Sequence, residues 1–422
     1  MAELGHDVVG VDVDAHKVEL LSNRRAPFFE PELEDLLARN VDAGRLTFTQ
    51  DFSAIEGAQI HFIGVGTPQS ESGAADMTYV DAAVSSMLPH LGHYTNGPEV
   101  VAGKSTVPVG TASRLAQAIE PTGALLVWNP EFLREGFAVQ DTLRPDRMVY
   151  GLPADPGTAT KAQETMDAVY EQILTSGTPR LLMDYATAEL VKISANAFLA
   201  TKISFINAMS QVCDAAGANV TALAEAIGMD DRIGRRFLRA GIGFGGGCLP
   251  KDIRAFQARA DELGVGDALT FLAEVDKVND TMRAGVIRTV RGLLGDRLAG
   301  ATVTVLGAAF KPDSDDMRNS PALDLAVELA HLAKRVVVHD PAAGPILAER
   351  PNRPYEVALS AHSALEGTDL VLIGTEWREY RDLDPTQAAD LARTRYVIDG
   401  RNCLDAQAWK AAGWSYRGIG RR

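Results

Sequence analysis

The segment GIGFGGGCLPKDIRAF, residues 241–256, places one cysteine between a run of glycines and a proline. Glycines leave the backbone and the thiol of Cys248 open to close approach by a ligand, and Pro250 is typical of a first helical turn. Cys248 would then lie at a helix N-terminus beside Lys251 and Asp252, where the helix dipole and the ammonium group favour the thiolate. This pattern predicts a nucleophile. The alternative is a glycine-rich turn with a buried cysteine.

A second pair of polar residues interrupts a long apolar stripe. Lys192 and Asn196 are four residues apart and therefore share one face of a predicted helix. Between Leu190, Val191 and Ile193, a desolvated lysine could act as an acid or base or could position charge. A lysine whose ammonium extends out of a core-facing stripe is an equally good interpretation.

Two loops carry further polar groups at one predicted sheet edge. GKSTVPVGT (103–111) and NPEFLREGFAVQDTLRPDR (129–147) each follow a predicted strand, where doubly wound sheets bind ligands. Their side chains could bind sugar hydroxyls or an ordered water, and the candidates are Ser105, Thr106, Glu131 and Glu135. Capping and turn formation explain the same residues equally well.

Charged residues at other strand ends are typical of nucleotide binding. Asp12 ends the strand-like run VVGVDVD, where an acid binds ribose hydroxyls and favours NAD over NADP; Lys17 follows five residues later. In the last third of the chain, Lys311, Arg318 and Arg401 follow predicted strands, where cations could bind a diphosphate or ribose. Ordinary surface charge is the alternative for each.

The composition excludes several classes of protein. A formal net charge of -15 over 422 residues argues against a nucleic-acid or anionic-membrane surface, and no apolar run reaches the roughly 18 residues that span a bilayer. The sequence shows neither a signal-peptide pattern nor a metal-ligand spacing of His and Cys, so we expect neither feature. Cys213, Cys248 and Cys403 cannot form a disulfide framework, so we expect a cytoplasmic protein.

The order of strand-like and helix-like segments predicts an α/β architecture. Strands alternate with helices up to about residue 150 and again from 301, which predicts two mostly parallel sheets covered by helices. The middle region is helical, with one long helix from Asp184 to Gly217 and another over about 267–294. Such a region commonly connects domains or forms a dimer interface.

Taken together, GFGGGCLPKD, KSTVPVGT, NPEFLREG, the Lys-x-x-x-Asn of KISAN and FKPDSDDMR resemble the UDP-glucose/GDP-mannose dehydrogenase family. The motifs occur in family order and cover essentially the whole chain. The resemblance implies oxidation of a nucleotide-sugar C6 alcohol to a carboxylate in two hydride transfers to NAD. UDP-glucose is the substrate implied most directly, giving UDP-glucuronate for polysaccharide biosynthesis. GDP-mannose or another nucleotide hexose is the alternative substrate, and a non-catalytic nucleotide-sugar-binding protein is the alternative class.

The resemblance also implies roles for individual residues. Cys248 would hold the aldehyde as a thiohemiacetal and then as a thioester. Stabilisation of charge, handling of water and acid–base catalysis would fall to Lys192, Asn196, Asp252, Glu131 and Thr106. The implied NAD-binding residues are Asp12, Lys17, Thr67, Thr106, Glu135, Lys251 and Arg318. The implied nucleotide-sugar residues are Glu131, Phe132, Leu133, Arg134, Lys192, Asn196, Phe237, Gly245, Phe310, Lys311 and Arg401, with Arg232 reaching in from a neighbouring subunit.

The family fold has two Rossmann-like, doubly wound domains joined by a long helix that also forms a homodimer or a higher oligomer. It implies an NAD-binding domain at 1–178, a central helical region with the cysteine loop at 179–295, and a UDP-binding domain at 296–422.

The chain departs from the family pattern at its start. Family members begin with a strand and a G-x-G-x-x-G turn about 20 residues before the ribose acid, whereas only one helical turn precedes the first strand here. We therefore expect an N-terminally truncated first domain without its central strand, which leaves two sheet edges unpaired and removes amides that bind pyrophosphate. A mis-assigned start of a longer, active chain would explain this, and the chain as printed should bind NAD poorly.

Overall fold

A computed structural model describes residues 1–421, and the chain divides into two units. Unit 1 consists of Met1–Ala195 and Arg254–Gly266, and unit 2 of Asn196–Ile253 and Asp267–Arg422. Both units are α/β, as the alternation of strand-like and helix-like segments predicts.

Unit 1 contains seven strands and the first eight helices. The strands are β1 Val8–Val11, β2 Leu46–Thr49, β3 Ile60–Ile63, β4 Val100–Gly103, β5 Leu125–Trp128, β6 Met148–Leu152 and β7 Arg180–Asp184. The helices are α1 Ala15–Ser22, α2 Leu33–Asp42, α3 Thr78–Met87, α4 Thr111–Ile119, α5 Ala138–Leu143, α6 Pro156–Val169, α7 Glu171–Thr175 and α8 Tyr185–Ala216. The last of these continues into unit 2 from Asn196.

The strands of unit 1 form two separate sheets. β1 and β2 pair in parallel, while β3-β4-β5-β6-β7 form a five-stranded sheet that is parallel except between β5 and β6. Within residues 1–421, β1 pairs only with β2 and β3 only with β4, so each has one edge without a strand partner. All four residues of β1 are half-buried.

The larger sheet of unit 1 is covered on both faces. The β4 sequence VVAG is buried at every position, as expected for a strand of a parallel sheet with helices on both sides. Val101 packs into one apolar cluster and Val100 into another, because successive side chains of a strand point to opposite faces. This packing fixes the carboxyl ends of the strands, from which the candidate loops leave.

Unit 2 contains the remaining helices and a single parallel sheet. The helices are α9 Val220–Gly228, α10 Leu249–Glu262, α11 Phe271–Leu294, α12 Pro321–Ala330, α13 Gly344–Glu349, α14 Ala361–Leu365, α15 Arg378–Arg381, α16 Pro385–Leu391 and α17 Ala406–Ala411; α10 passes into unit 1 at Arg254. The strands are β8 Thr302–Leu306, β9 Arg335–His339, β10 Glu356–Val357, β11 Leu370–Ile373, β12 Tyr396–Asp399 and β13 Ser415–Gly418. Their order, β10-β9-β8-β11-β12-β13, is the doubly wound order of dinucleotide-binding folds.

The sequence-based expectations match most of the strands but miss four of them. The predicted helix between Asp184 and Gly217 is α8, and the other predicted long helix is α11, preceded by a short 3₁₀ turn. The expected absence of strands between about residues 155 and 290 was wrong for β7, while β2, β10 and β13 were not predicted. No helix within residues 1–421 is long and apolar enough to cross a bilayer, and the same residues hold no cluster of three or more potential metal ligands.

Candidate active site

Cys248 lies at the N-terminus of α10 with its side chain exposed. It immediately precedes Leu249, and its carbonyl accepts the Asp252 amide at 2.9 Å, so the helical hydrogen bonds begin at the cysteine itself. The thiol therefore lies at the positive end of the helix dipole, and the buried-cysteine alternative does not describe it. Cys213, by contrast, is buried in an apolar cluster with Ile206 and Val220.

The glycines before Cys248 are required by packing within unit 2. A Cβ on Gly245 would lie 2.2 Å from the Asn319 carbonyl oxygen, and Gly246 has a positive φ of 84°, at which a side chain would be strained. The segment is also hydrogen-bonded, because the Gly246 amide donates to the Arg318 carbonyl at 2.8 Å. The run of glycines is thus a tightly packed turn that holds the cysteine in place.

Three of the predicted site residues lie together around Asp252, in the first turn of α10. The Asn196 amide donates to Asp252 Oδ2 at 2.6 Å, and Lys251 Nζ lies 2.7 Å from Asp252 Oδ1. Asn196 and Asp252 are both buried, so the carboxylate is paired with a cation and an amide in a largely dry environment. Because these polar side chains are already desolvated and paired, they can orient a polar ligand with little further desolvation cost.

In unit 1 the predicted acid–base residue Glu131 is paired with a lysine that was not predicted. Glu131 Oε2 lies 3.1 Å from Lys104 Nζ, and Oε1 accepts the amides of Phe132 and Leu133 at 2.6 and 2.9 Å. Burial opposes the charge of Lys104, but Tyr170 and Glu131 outweigh it and raise the pKa of Lys104. The ammonium therefore stays protonated beside the carboxylate. Lys104 directly follows β4, and this position at the end of a strand was the signal in the sequence that could have identified it.

The predicted substrate residue Phe132 contacts two cations. Its ring lies 4.0 Å from the Arg147 guanidinium carbon and 5.4 Å from Lys192 Nζ, so unit 1 brings Phe132 and Lys192 together. Arg134 turns instead to Asp141, to which its Nε and backbone amide each donate at 2.8 Å. The neighbouring Leu133 is exposed.

Thr67 and Thr106 lie on adjacent loops of unit 1. The Thr67 hydroxyl donates to the Thr106 carbonyl at 2.8 Å, and the Ser105 hydroxyl donates to the Val65 carbonyl at 2.6 Å. These two hydroxyls hold the loop after β4 against the loop after β3. Thr106 and Glu135 are both half-buried.

Asp12 directly follows β1, and its surroundings suit the ribose of NAD. One carboxylate oxygen accepts the Asp14 amide at 2.9 Å, and Lys17 Nζ lies 3.6 Å from the other. The side chain remains 38% exposed, so ribose hydroxyls can reach it without breaking a buried bond. NAD, when bound, would supply the hydride acceptor.

In unit 2 the predicted nucleotide residue Arg401 joins three backbone segments. Its guanidinium donates to the carbonyls of Gly374, Gly243 and Phe310 at 2.8, 2.8 and 3.3 Å. Burial lowers the pKa of Arg401. The arginine therefore ties the glycine-rich segment to the Phe310 loop, where Lys311 Nζ lies 5.0 Å from the Phe310 ring centre.

For three other predicted residues the structure shows their local surroundings. Arg318 donates to Asp316 two residues away, and Arg232 forms the same kind of pair with Asp230 while its side chain is 89% exposed. Phe237 is 38% exposed and has a positive φ of 64°.

Two buried acids of unit 2 hold the loops that carry the predicted nucleotide residues. Asp399 accepts the Arg401 amide at 3.2 Å and the Tyr416 hydroxyl at 2.9 Å. Asp340 accepts the amides of Ala308 and Ala309, immediately before Phe310, at 2.7 and 2.9 Å. Sequence reasoning gave neither acid this role, although both lie at the end of a buried strand.

Comparison with known proteins identifies the family across the whole length of the chain. Three models of the UDP-glucose/GDP-mannose dehydrogenase family match: the NAD-binding domain at residues 1–174, the central domain at 186–281 and the UDP-binding domain at 304–406.

Individual relatives agree with these matches. The chain is 40% identical to UDP-glucose 6-dehydrogenase TuaD of Bacillus subtilis, covering all of this chain and 89% of that protein. It is 39% identical to a UDP-glucose 6-dehydrogenase of Rhizobium meliloti, covering 100% and 95%. A solved UDP-glucose dehydrogenase from Pyrobaculum islandicum superposes with a TM-score of 0.88 at 36% identity, covering 100% and 94%. The chain therefore belongs to the UDP-glucose/GDP-mannose dehydrogenase family and is an NAD-dependent dehydrogenase.

Proposed function

We propose that the chain oxidises UDP-glucose to UDP-glucuronate with two NAD⁺ and one water. The first hydride leaves C6 of the alcohol and gives an aldehyde. The Cys248 thiolate adds to this aldehyde to form a thiohemiacetal, whose C6 hydride passes to the second NAD⁺. The resulting thioester is hydrolysed, so water supplies the second carboxylate oxygen and the thiol is released.

The observation that carries the proposal is the position of the Cys248 thiol. It is exposed at the positive end of α10, and Lys251 lies within the first turn of the same helix. The helix dipole favours the thiolate over the thiol, and the thiolate is the form that adds to a carbonyl. Lys251 contributes less, because its ammonium is paired with Asp252. A protein that only binds a nucleotide sugar does not need a group of this kind, which argues against the non-catalytic alternative.

The remaining candidates have separate parts in this scheme. Asn196 would donate to the oxyanion, an effect of about 3 kcal/mol for one donor in a dry site, and Asp252, which accepts a hydrogen bond from Asn196, would orient the hydrolytic water. Lys192 would add positive charge. Glu131, beside Lys104, would exchange the proton of the sugar alcohol. Thr106 would lie near the nicotinamide.

UDP-glucose is preferred as substrate because relatives at 34–40% identity over the full chain carry that name. GDP-mannose or another nucleotide hexose is the alternative, since the groups described in unit 2 bind phosphate and ribose more directly than a base. The expected NAD-binding, central and UDP-binding regions at 1–178, 179–295 and 296–422 belong to the same proposal. Cysteines without a disulfide suit the cytoplasm.

We further propose a homodimer as the minimal assembly. Phe198, Phe205 and Val212 are spaced by seven residues on α8 and are 66%, 49% and 57% exposed. Residues at this spacing share one helix face, and a stripe of large exposed apolar side chains is typical of an interface. A second copy of α8 would cover it.

The reaction is tested by counting NADH formed per sugar for UDP-glucose, GDP-mannose, dTDP-glucose and UDP-N-acetyl sugars. We expect two NADH per UDP-glucose, together with UDP-glucuronate by mass spectrometry. One NADH per sugar would reject the thioester route, and a higher kcat/KM for another nucleotide sugar would reject the substrate. Absence of NAD reduction with every sugar, at NAD concentrations at which the chain is shown to bind NAD, would reject the enzymatic proposal.

A further inference from the structure

The two candidate loops of unit 1 end in helices that lack a cap of their own. The loop at 104–110 leads into α4, whose N-cap is Gly110, and the loop at 129–137 leads into α5, whose N-cap is Phe137. Neither N-cap residue makes a side-chain hydrogen bond to its helix. Several other helices of the chain are capped locally, such as α6 by Asp155. The amides at these two helix starts therefore need acceptors from elsewhere.

For α4 the acceptor is Glu189, which lies on α8 and is only 2% exposed. Its Oε2 accepts the Gly110 amide at 2.7 Å, and its Oε1 accepts the Ala112 amide at 2.6 Å. Burial raises the pKa of Glu189, and these amides together with Arg259 oppose that shift. Arg259 also donates to the Val109 carbonyl at 2.9 Å, so the end of the loop is held from two sides.

For α5 the acceptor is Glu30, which precedes α2 and is 9% exposed. Its Oε2 accepts the Gly136 amide and its Oε1 the Ala138 amide, both at 2.7 Å. The pattern is the same as for Glu189: one buried carboxylate binds two amides that are two residues apart, one at the end of the loop and one at the start of the helix.

The two loops are also joined where they leave the sheet. Lys104, which begins the first loop, donates to Asn129 at 3.2 Å and pairs with Glu131 of the second. Each loop is therefore held where it leaves the sheet and where it enters its helix, and the candidate residues lie at or between these two points. Lys192 follows Glu189 by three residues on α8 and so lies on the same side of that helix.

We propose that Glu30 and Glu189 are positioning residues that fix the loops of the active site. This rests on the proposed function, because the loops carry Thr106, Glu131 and Phe132. A local cap would satisfy the helix amides equally well, whereas a carboxylate from a distant element also fixes where the loop lies. Glu189 positions the loop of Thr106 relative to Lys192, and Glu30 positions the loop of Glu131.

The test compares Glu30→Gln and Glu189→Gln with the wild type and with Glu164→Gln, an exposed glutamate of α6. A glutamine retains one acceptor oxygen but turns an NH₂ group toward the second amide. Hydrogen exchange should accelerate about tenfold or more in 105–112 for Glu189→Gln and in 131–138 for Glu30→Gln, with the other loop unchanged. Glu164→Gln should match the wild type in both loops.

Steady-state kinetics separate positioning from simple stabilisation. We expect Glu189→Gln to raise KM for NAD about tenfold with little effect on KM for UDP-glucose. Glu30→Gln should raise KM for UDP-glucose about tenfold and KM for NAD by a smaller factor, because Glu135 lies in the same loop. Aspartate at either position keeps the charge but reaches only one amide, so it should reverse part of the rise in KM. The aspartate variants also replace a glutamine variant that does not fold.

Three results would overturn the proposal. Exchange equal to that of Glu164→Gln would show that the carboxylates do not hold the loops. Faster exchange with wild-type kinetic constants would make them structural caps only. If both variants raise KM for NAD and KM for UDP-glucose equally, the assignment of one loop to each substrate is wrong. If the wild type reduces no NAD with any sugar, the proposed function fails, while the exchange data still decide whether the carboxylates hold the loops.

Discussion

Asp12 in unit 1 and Asp340 in unit 2 occupy the same place in their units, yet their surroundings are opposite. Each directly follows a valine-rich strand, β1 or β9, that runs parallel to its neighbour. Asp12 is 38% exposed and accepts one backbone amide. Asp340 is 2% exposed and accepts five hydrogen bonds, from the amides of Ala308, Ala309, Ala342 and Ala343 and the indole of Trp377.

The difference lies in how the turn after β8 is used. In a dinucleotide-binding fold the amides of the turn after the central strand bind pyrophosphate, and the acid of the next strand binds ribose. In unit 2 the central strand is β8, and Asp340 occupies the amides of its turn. An acid at the end of a strand can therefore bind a ribose only where the amides of the neighbouring turn do not already hydrogen-bond to it. Under the proposed function, unit 2 would bind the nucleotide with other groups, and Arg401 and Lys311 are the candidates.

The largest effect expected from this comparison is on stability, at Asp340. Asp340→Asn places an NH₂ group against several N–H donors in a buried site, so the free energy of unfolding should fall by about 3 kcal/mol. Urea unfolding followed by tryptophan fluorescence reports it, because Trp377, Trp409 and Trp414 all belong to unit 2.

The control for this change is Asp390→Asn, an exposed aspartate of the same unit, which should unfold as the wild type does. If Asp340→Asn and Asp390→Asn unfold at the same urea concentration, the hydrogen bonds of Asp340 contribute little, and the contrast with Asp12 has no energetic meaning.

The smaller effect is on cofactor binding, at Asp12. Asp12→Asn should raise KM for NAD by about tenfold and reduce the preference for NAD over NADP, because the amide is a weaker acceptor for ribose hydroxyls. Its free energy of unfolding should stay within about 0.5 kcal/mol of the wild type. Initial rates at saturating UDP-glucose measure the first quantity, with Asp7→Asn as an exposed control before β1. If Asp12→Asn lowers the free energy of unfolding and leaves KM for NAD unchanged, Asp12 has a structural role like that of Asp340.

Periodicity in the sequence was sufficient for the long elements and insufficient for short edge strands. α8 was predicted over nearly its whole length because its apolar spacing persists over some thirty positions, with possible N-caps at 184–187 and a stop at Gly217. β7 was missed because it is a sheet edge with Leu181 and Leu182 exposed, so its burial does not alternate. β13 was missed because only Tyr416 of its four residues is a large apolar residue.

In the candidate site, too, the sequence identified residues that are close together in the chain and missed contacts between residues that are far apart in it. Cys248, Lys251 and Asp252 were identified because they are neighbours in the chain, and Lys192 and Asn196 because they are one helical turn apart. The bonds from Glu30 to Gly136 and from Glu189 to Gly110 join residues 106 and 79 positions apart. Local spacing carries no information on such pairs, because they depend on how distant elements pack. The roles of all these residues stay predictions.

The central claim is that the Cys248 thiol holds the sugar between two oxidations. It is tested most directly by measuring NADH formed per UDP-glucose by the wild type, Cys248→Ser and Cys213→Ala, whose cysteine is buried away from any charged partner named above. The account predicts two NADH per sugar for the wild type and Cys213→Ala, and a loss of about 1,000-fold or more in uronate formation for Cys248→Ser. Two NADH per sugar from Cys248→Ser at a rate near that of the wild type would contradict it.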